Sequence, residues 1–175
     1  ALTLGLAPGV PLDLALELGA AEARVDLTGL TVAKLRAVAA AADSRLIFGS
    51  PNPTPLAELE ITSTAAGVAV QQLGNARAAH VRVTTTVGSA DLDLSGAWSG
   101  ETALNLRLVL GSATVRVPRD VGVQVRVSKV LGNFDTAGLT ERDGAWYSSN
   151  WGTARRKLTI DAEVVLGGVT LARAE

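Results

Sequence analysis

The chain consists of extended runs in which apolar and polar residues alternate, separated by short turns. Alternation with a period of two is typical of β-strands that bury one face. Two of these apolar faces are especially clear. One leads to Gly88 and consists of Val81, Val83, Thr85 and Val87, and the other leads to Gly111 and consists of Leu104, Leu106, Leu108 and Leu110. We expect these side chains to point towards a common core.

The turns between the runs recur at a nearly constant interval. They lie at Gly19, Asp43, Gly67, Gly88, Gly111, Gly132 and Gly167, with intervals of 24, 24, 21, 23, 21 and 35 residues. A repeat of this length indicates a solenoid, in which each repeat buries its apolar face against its neighbours. Glycine suits such reversals because it adopts positive φ without steric cost. The pattern therefore predicts an all-β fold, a right-handed β-solenoid of about seven coils with a period of 21–24 residues.

One segment has conflicting signals. Residues 32–42 (VAKLRAVAAAA) are rich in alanine, the best helix former, and contain no helix breaker. A turn at Asp43, however, keeps the 24-residue interval on both sides, which requires a strand before it. We therefore predict a strand here.

Two segments break the rhythm of the repeat. Residues 50–55 (SPNPTP) carry three prolines in alternate positions and predict an irregular loop. Residues 136–156 exceed the length of one repeat and hold half of all aromatic residues in the chain. Extra residues in one coil form either a loop on one face or a cap at the end of a solenoid.

The long segment is the best candidate for an interaction site. Trp146, Tyr147 and Trp151 are followed by the cationic residues Arg155 and Arg156. Aromatic rings beside cations can anchor a protein partner or stack on a sugar. The alternative is that the rings close the end of a core that is otherwise poor in aromatic residues.

Composition limits the classes of function. Hydrophobic residues make up 47% of the chain and aromatic residues 3%, which predicts a narrow core of Val, Leu and Ala. The length predicts a single domain over 1–175, with a possible subdivision into 1–80 and 81–175. The net charge of −1 comes from 16 basic and 17 acidic residues that are scattered along the chain, which argues against a nucleic-acid partner. No apolar stretch is long enough to span a bilayer. The chain starts at Ala1 within an alternating run at 2–6, so we expect that a signal peptide, an anchor or a tag preceded it.

The candidates for catalysis are weak. His80 is the only histidine, and with no cysteine a zinc site is not expected. Asp91 and Asp93 share one strand face, and Asp135 lies one repeat position further on, so a carbohydrate-active enzyme that uses these carboxylates is an alternative. Such an enzyme needs them in one groove near an exposed tryptophan. The glycine-rich turns lack the Lys-Ser/Thr pair of a phosphate loop, and we predict no catalytic residue, no cofactor and no metal.

Several motifs of the chain are similar to those of a known family. Residues 92–98 (LDLSGAW) and 106–123 (LRLVLGSATVRVPRDVGV) resemble the C-terminal domain of LiaF-type proteins, also called the cell-wall-active antibiotic response or "toastrack" group, which borders on the adhesins of β-helical form. Residues 73–77 (LGNAR), 146–151 (WYSSNW) and 165–169 (VLGGV) fit the same pattern, so the likeness covers most of the chain.

The resemblance implies a non-enzymatic domain at the extracytoplasmic side of the cell envelope, linked to the envelope-stress response. We therefore expect a scaffold or sensing module that binds a protein partner or associates with itself through the solenoid ends. A glycan-binding surface adhesin is the alternative. LiaF-type proteins carry membrane helices, which this sequence lacks.

Overall fold

The alternating runs form β-strands throughout the described part of the chain. The computed structural model describes residues 6–19, 22–136 and 138–174. The strands are β1 (Leu12–Leu18), β2 (Ala23–Asp26), β3 (Val32–Ala39), β4 (Ser44–Ile47), β5 (Glu58–Ala65), β6 (Val68–Gln71), β7 (His80–Asp93), β8 (Glu101–Pro118), β9 (Gly122–Thr136), β10 (Leu139–Arg142), β11 (Ala145–Ser148) and β12 (Lys157–Ala174). They belong to one mixed sheet of 12 strands, and a single 3-10 turn at Leu73–Ala76 is the helical element of this part of the chain. The all-β prediction is confirmed, while the alternating run at 2–6 lies mostly outside the described residues.

Successive repeats of the chain stack in parallel. In the first three repeats the turn separates two short strands, and each strand pairs with its equivalent in the next repeat. From β7 onwards, the two halves of a repeat merge into one long strand that bends at its glycine. Gly88, Gly111, Gly132 and Gly167 are therefore bends within continuous strands, which corrects the prediction that they separate strands. The alanine-rich segment forms β3, as predicted.

The parallel register builds the core from columns of equivalent side chains. One column runs across six neighbouring strands, and each of its members is at most 2% exposed: Leu35, Leu59, Val81, Leu104, Ile160 and Val125. Each half-strand contributes two or three such columns, and together they form one apolar cluster from Leu27 to Leu171. Burial at about 25 cal/mol per Å² of apolar surface makes these columns the main source of stability.

Two buried asparagines replace sheet pairing at the loops between repeats. The Asn52 amide donates to the Val32 carbonyl (2.6 Å) and accepts from the Val32 N–H (2.9 Å). The Asn75 amide donates to the Phe48 carbonyl (2.7 Å) and accepts from the Ala97 N–H (2.8 Å). These side chains satisfy backbone groups that would otherwise be buried without a partner, which costs about 1–3 kcal/mol each. The proline-rich segment is a loop, as predicted, and Asn52 within it makes the hydrogen bonds to Val32.

The order of the last long strands differs from their order in the sequence. β12 lies between β8 and β9 and is parallel to both. β9 is thereby placed near the end of the sheet, followed only by β11 and β10. Lys129 explains this position, because it stands in register with the buried Val164 and Leu108. An ammonium group in a core column is tolerated only at the end of the core, where it can reach water.

The bends in the long strands form a column of their own. Gly88, Gly111, Gly167 and Gly132 are neighbours in register on four adjacent strands. A Cβ atom on Gly111 would lie 1.8 Å from the carbonyl oxygen of Gly88, and one on Gly167 would lie 1.8 Å from that of Gly111. Both glycines also have positive φ, 144° and 143°. The recurrence of glycine therefore reflects close approach of backbones as well as backbone conformation.

Replacement of Gly111 by alanine tests this close approach. We expect Gly111→Ala to lower the free energy of unfolding by about 3 kcal/mol or more, because the Gly88 carbonyl must move and the φ value is unfavourable. Gly152→Ala is the matched control, since a Cβ there meets nothing within 4 Å. Urea unfolding followed by circular dichroism measures both, and equal stability of the two variants would contradict the account.

Candidate interaction surface

The long segment after β9 folds into a hairpin that lies across the end of the sheet. β10 and β11 pair in antiparallel register, and β11 pairs with β9 through Trp146 opposite Val125 and Tyr147 opposite Gln124. The segment thus adds two strands beyond the last parallel one. These strands cover the first half of β9 only.

Trp146 closes the end of the core. Its ring packs edge-on against Phe134 with a centroid distance of 5.8 Å, and both rings contact the core cluster. Val127 and Leu139 are partly buried at the same end. Trp146 thus takes the capping role that was one of the two interpretations of this segment.

Tyr147 and Trp151 lie together outside the core. Their ring centroids are 5.9 Å apart at an angle of 60°, and both side chains are half-buried. The Gln124 amide donates to the Tyr147 hydroxyl (3.2 Å), and the Lys157 ammonium lies 5.2 Å from the centre of the Trp151 ring. A cation over an aromatic face is favourable by about 0.5–1 kcal/mol at an exposed position.

The loop that carries Trp151 is fixed by hydrogen bonds. The hydroxyl of the buried Ser148 accepts from the Val123 N–H and donates to the Asn150 side chain, at 2.8 and 2.7 Å. The Asn150 amide in turn donates to the Arg119 carbonyl (2.9 Å). The indole is therefore held in place before any partner binds, which reduces the entropy lost on binding.

The two arginines predicted for the site differ in their surroundings. Arg156 forms an exposed ion pair with Asp120 at 3.2 Å. Arg155 is exposed and has no hydrogen bond or ion pair among the described residues. The structure thus brings Tyr147, Trp151 and Arg156 to the start of β9, with Arg155 next to Arg156 in the loop before β12. We refer to these four residues with Lys157 as the aromatic–basic surface.

A polar groove of about 560 Å³ lies on the outer face of the long strands. Its lining includes Arg82, Arg107 and Arg126, together with the carboxylates of Asp161 and Glu163. Arg107 and Glu163 pair at 3.8 Å, both largely exposed. Opposite charges on neighbouring strands compensate each other here, so the groove has no strong net charge.

The carboxylates considered for catalysis do not share a groove. Asp91 accepts hydrogen bonds from the two terminal nitrogens of the Arg116 guanidinium, Nη1 and Nη2, at 2.8 and 3.2 Å. Asp93 accepts from the N–H and the hydroxyl of Ser95. Asp135 is in register with Asp91 but is separated from it by Thr114 of β8 and by Thr170 of the inserted β12. The prediction that Asp135 lies one repeat position further on is therefore wrong, and these carboxylates do not form the arrangement that a glycosidase needs.

His80 and Asp26 lie away from the aromatic–basic surface, whereas Arg173 contacts the turn between β8 and β9 that borders it. His80 is exposed at the start of β7, in register with Glu58 and Ala103. Hydrogen bonds from the Thr28 hydroxyl and N–H lower the pKa of Asp26. Burial lowers the pKa of Arg173, whose Nη2 donates to the carbonyls of the turn between β8 and β9 and fastens the end of β12 to it.

The fold and this surface define a class of protein: an all-β domain of stacked parallel strands, with an aromatic hairpin across one end. A family model described as "Cell wall-active antibiotics response LiaF, C-terminal" matches residues 72–171, and the chain belongs to this LiaF-like C-terminal family. The family predicted from the turn and strand motifs is thus confirmed. None of the curated proteins compared with the chain matches it.

A solved structure shares the fold over almost the whole chain. It is the crystal structure of a "putative cell adhesion protein" from Clostridium sporogenes, with a TM-score of 0.66 and 11% sequence identity. The match covers 97% of this chain and 96% of that one. At this identity the likeness concerns the fold alone. Among the described residues there is no helix with the length and apolarity needed to cross a membrane.

The structure also contains an apolar feature that the sequence patterns did not predict. Val87 and Leu110, assigned above to core-facing runs, are 45% and 43% exposed. The bend at the following glycine turns these residues outwards, and the core face resumes beyond it at Ala90 and Ala113. A repeated Val-Leu-Gly tripeptide at 109–111, 130–132 and 165–167 is the sequence signal that could have revealed this corner.

The two tryptophans of the hairpin segment should differ in their effect on stability. We expect Trp146→Ala to lower the free energy of unfolding by about 2 kcal/mol, because it uncovers the end of the core. Trp151→Ala should cost less than about 1 kcal/mol, since its ring lies outside the core cluster. Denaturant unfolding of both variants measures the difference, and a larger loss for Trp151→Ala would contradict these assignments.

Proposed function

We propose that the protein is a non-enzymatic interaction module of the cell envelope, a scaffold or sensor in the response to envelope stress. In this proposal it acts on the extracytoplasmic side as a single domain over 1–175, built as a right-handed solenoid of about seven coils. The family to which the chain belongs is described by its response to cell-wall-active antibiotics, which supports an envelope-related role.

The observation that carries the proposal is the division of roles within the aromatic segment. Trp146 caps the core, whereas Tyr147 and Trp151 lie outside it on a loop that is fixed by Ser148 and Asn150. Neither of these two rings belongs to the core cluster or packs against it. Aromatic residues and arginine that are rigidly held at a surface are the residue types that dominate binding energy at protein interfaces.

The charges of the surface suggest the kind of partner. Arg155 is exposed without an ion pair among the described residues, and Lys157 lies over the Trp151 ring. A protein partner that places an apolar side chain against Tyr147 and Trp151 and a carboxylate against Arg155 would satisfy both features. The partner therefore has an acidic residue at the rim of its contact surface.

A binding experiment with matched variants tests the partner site. Trp151→Ala and Arg155→Ala should each lower the affinity of the immobilised domain for the envelope proteins that it captures by about 30-fold, so that these proteins are no longer retained. Arg45→Ala, an exposed arginine on β4, should capture them as the unchanged domain does. Equal capture by all three variants would place the contact elsewhere, and no capture above a blank matrix would count against a protein partner.

Glycan binding through the same two rings is the second candidate. The Tyr147 and Trp151 rings meet at an angle of 60° beside the Gln124 amide, which offers a stacking face next to a hydrogen-bonding group.

A glycan array distinguishes the two functions. If the module binds sugars, the domain should bind a defined set of cell-wall glycans, and Trp151→Ala should abolish the signal because it removes the stacking face. Arg45→Ala is again the matched control, because Trp98, the remaining tryptophan, is buried and its replacement would disturb the core. Glycan binding that survives Trp151→Ala would contradict this use of the surface.

A further inference from the structure

The two ends of the stack of strands are finished differently. At the β9 end, Trp146 and the hairpin lie over the core. At the opposite end, β1 has no strand partner on its outer side among the described residues. Its core-facing side chains are only half-buried, whereas those in register with them on β3 are at most 2% exposed. The half-buried residues are Leu12, Leu14, Leu16 and Leu18. The apolar core is therefore open at β1.

The backbone of β1 offers hydrogen-bonding groups at the same edge. The Leu18 carbonyl accepts from the Ala40 N–H on the side of β3. Because the backbone groups of successive residues in a strand point to alternate sides, the N–H and C=O groups of Asp13, Ala15 and Glu17 point away from β3. An open edge of this kind accepts an extended polypeptide as a further strand.

The charges on the outer face of β1 indicate the chemistry of that polypeptide. Asp13 and Glu17 are exposed, and neither forms an ion pair with a described residue. Elsewhere on this face, charged neighbours in register alternate in sign. Two rows show the alternation: Asp13, Lys34 and Glu58, and Arg36, Glu60 and Arg82. A strand beyond β1 fits this pattern when it places cations beside Asp13 and Glu17, since opposite charges on adjacent strands attract.

A cavity on the same face leaves room for a large side chain between the two cations. It has a volume of about 290 Å³, and its lining includes Asp13, Ala15, Lys34 and Arg36. Ala15 lies midway between the two carboxylates of β1. Its small side chain leaves space that the middle residue of an added strand can fill.

We propose that β1 binds a basic, extended segment of a partner protein, which adds to the sheet as a further strand. Alternate residues of this segment are apolar and cover the four leucines of β1. Two cations, four positions apart in the segment, lie beside Asp13 and Glu17. Because Ala15 is midway between these carboxylates, a strand of either direction satisfies both. This surface is separate from the aromatic–basic surface of the proposed function.

A second copy of the chain does not fit the same edge. The antiparallel two-fold pair that uses all seven residues of β1 is centred on Ala15, so it places Asp13 of each copy beside Glu17 of the other. Like charges directly opposite each other are unfavourable. Continuation of the stack by β9 of another copy is blocked, because the hairpin and Trp146 cover the first half of that strand.

Amide exchange measured by nuclear magnetic resonance tests the edge. In the free domain, the N–H groups of Ala15 and Glu17 should exchange fast, and those of Leu14 and Leu16, which point to β3, should exchange slowly. Addition of the probe peptide acetyl-Val-Lys-Val-Tyr-Val-Lys-Val-amide should protect Ala15 and Glu17. Protection of both before the peptide is added would show that the chain itself or a second copy covers the edge, and would overturn the proposal.

Exchange of charges between domain and peptide tests the chemistry of the partner. The double variant with Asp13→Lys and Glu17→Lys should bind the lysine peptide about tenfold more weakly and should prefer the peptide in which both lysines are glutamates. Asp135→Lys is the matched control, because Asp135 is exposed at the other end of the sheet, and it should bind as the unchanged domain does. Calorimetric titration measures the affinities, and equal unfolding midpoints show that the variants are folded.

Three further results would overturn the proposal: no binding of the lysine peptide at about 1 mM, a double variant that does not prefer the glutamate peptide, or protection on β9 instead of β1. Trp151→Ala should bind the peptide normally, and the double variant should capture envelope proteins as the unchanged domain does. Loss of one kind of binding with the other intact therefore distinguishes failure of the proposed function from failure of this inference.

Discussion

The contact on which the structure depends is the approach of one backbone to the next at the glycine bends. At Gly111 and Gly167 the carbonyl oxygen of the neighbouring strand occupies the place where a Cβ atom would stand. Four strands can therefore bend at the same point and stay in register on both sides of the bend. The core columns before and after the bend exist only because this register is kept. The same bend turns Val87 and Leu110 outwards, so the exposure of these two apolar side chains is a consequence of the close approach.

The end of the sheet is determined by a second constraint, the polarity of β9. A strand inside the stack needs an uncharged residue at every core position, and β12 meets this requirement with Leu158, Ile160, Ala162 and Val164. β9 has Lys129 at the position equivalent to Val164, so burial on both sides would isolate a charge. The last strand of the chain consequently takes the inner place. β9 takes the outer one, where the hairpin and Trp146 cover its first half.

Local patterns predicted much of this fold, and contacts that are distant in sequence account for what they missed. Alternation and turn spacing identified the strands, and the interval around Asp43 outweighed the helix propensity of the alanine-rich β3. The insertion of β12 between β8 and β9 was missed because neighbours in sequence were taken as neighbours in space. The position of Asp135 was wrong for a further reason, because Thr114 of β8 already stands between it and Asp91. Lys129 within an apolar run was the available signal. The pairing of the Asn52 and Asn75 amides with backbone 20 to 27 residues away has no local signature that periodicity could detect.

The two halves of β9 differ in how they end the sheet. In the first half, the hairpin supplies backbone partners, and Trp146 packs against the core while Tyr147 and Trp151 contact each other outside it. In the second half no described strand supplies partners, and the bend exposes Val130 and Leu131 at that edge. A rigid stack of strands has few places where new contacts can form without disturbing the register, and its ends are the main ones. The stack of this chain stops in two chemically different ways along β9: under a paired hairpin in the first half, and at an edge with exposed Val130 and Leu131 in the second.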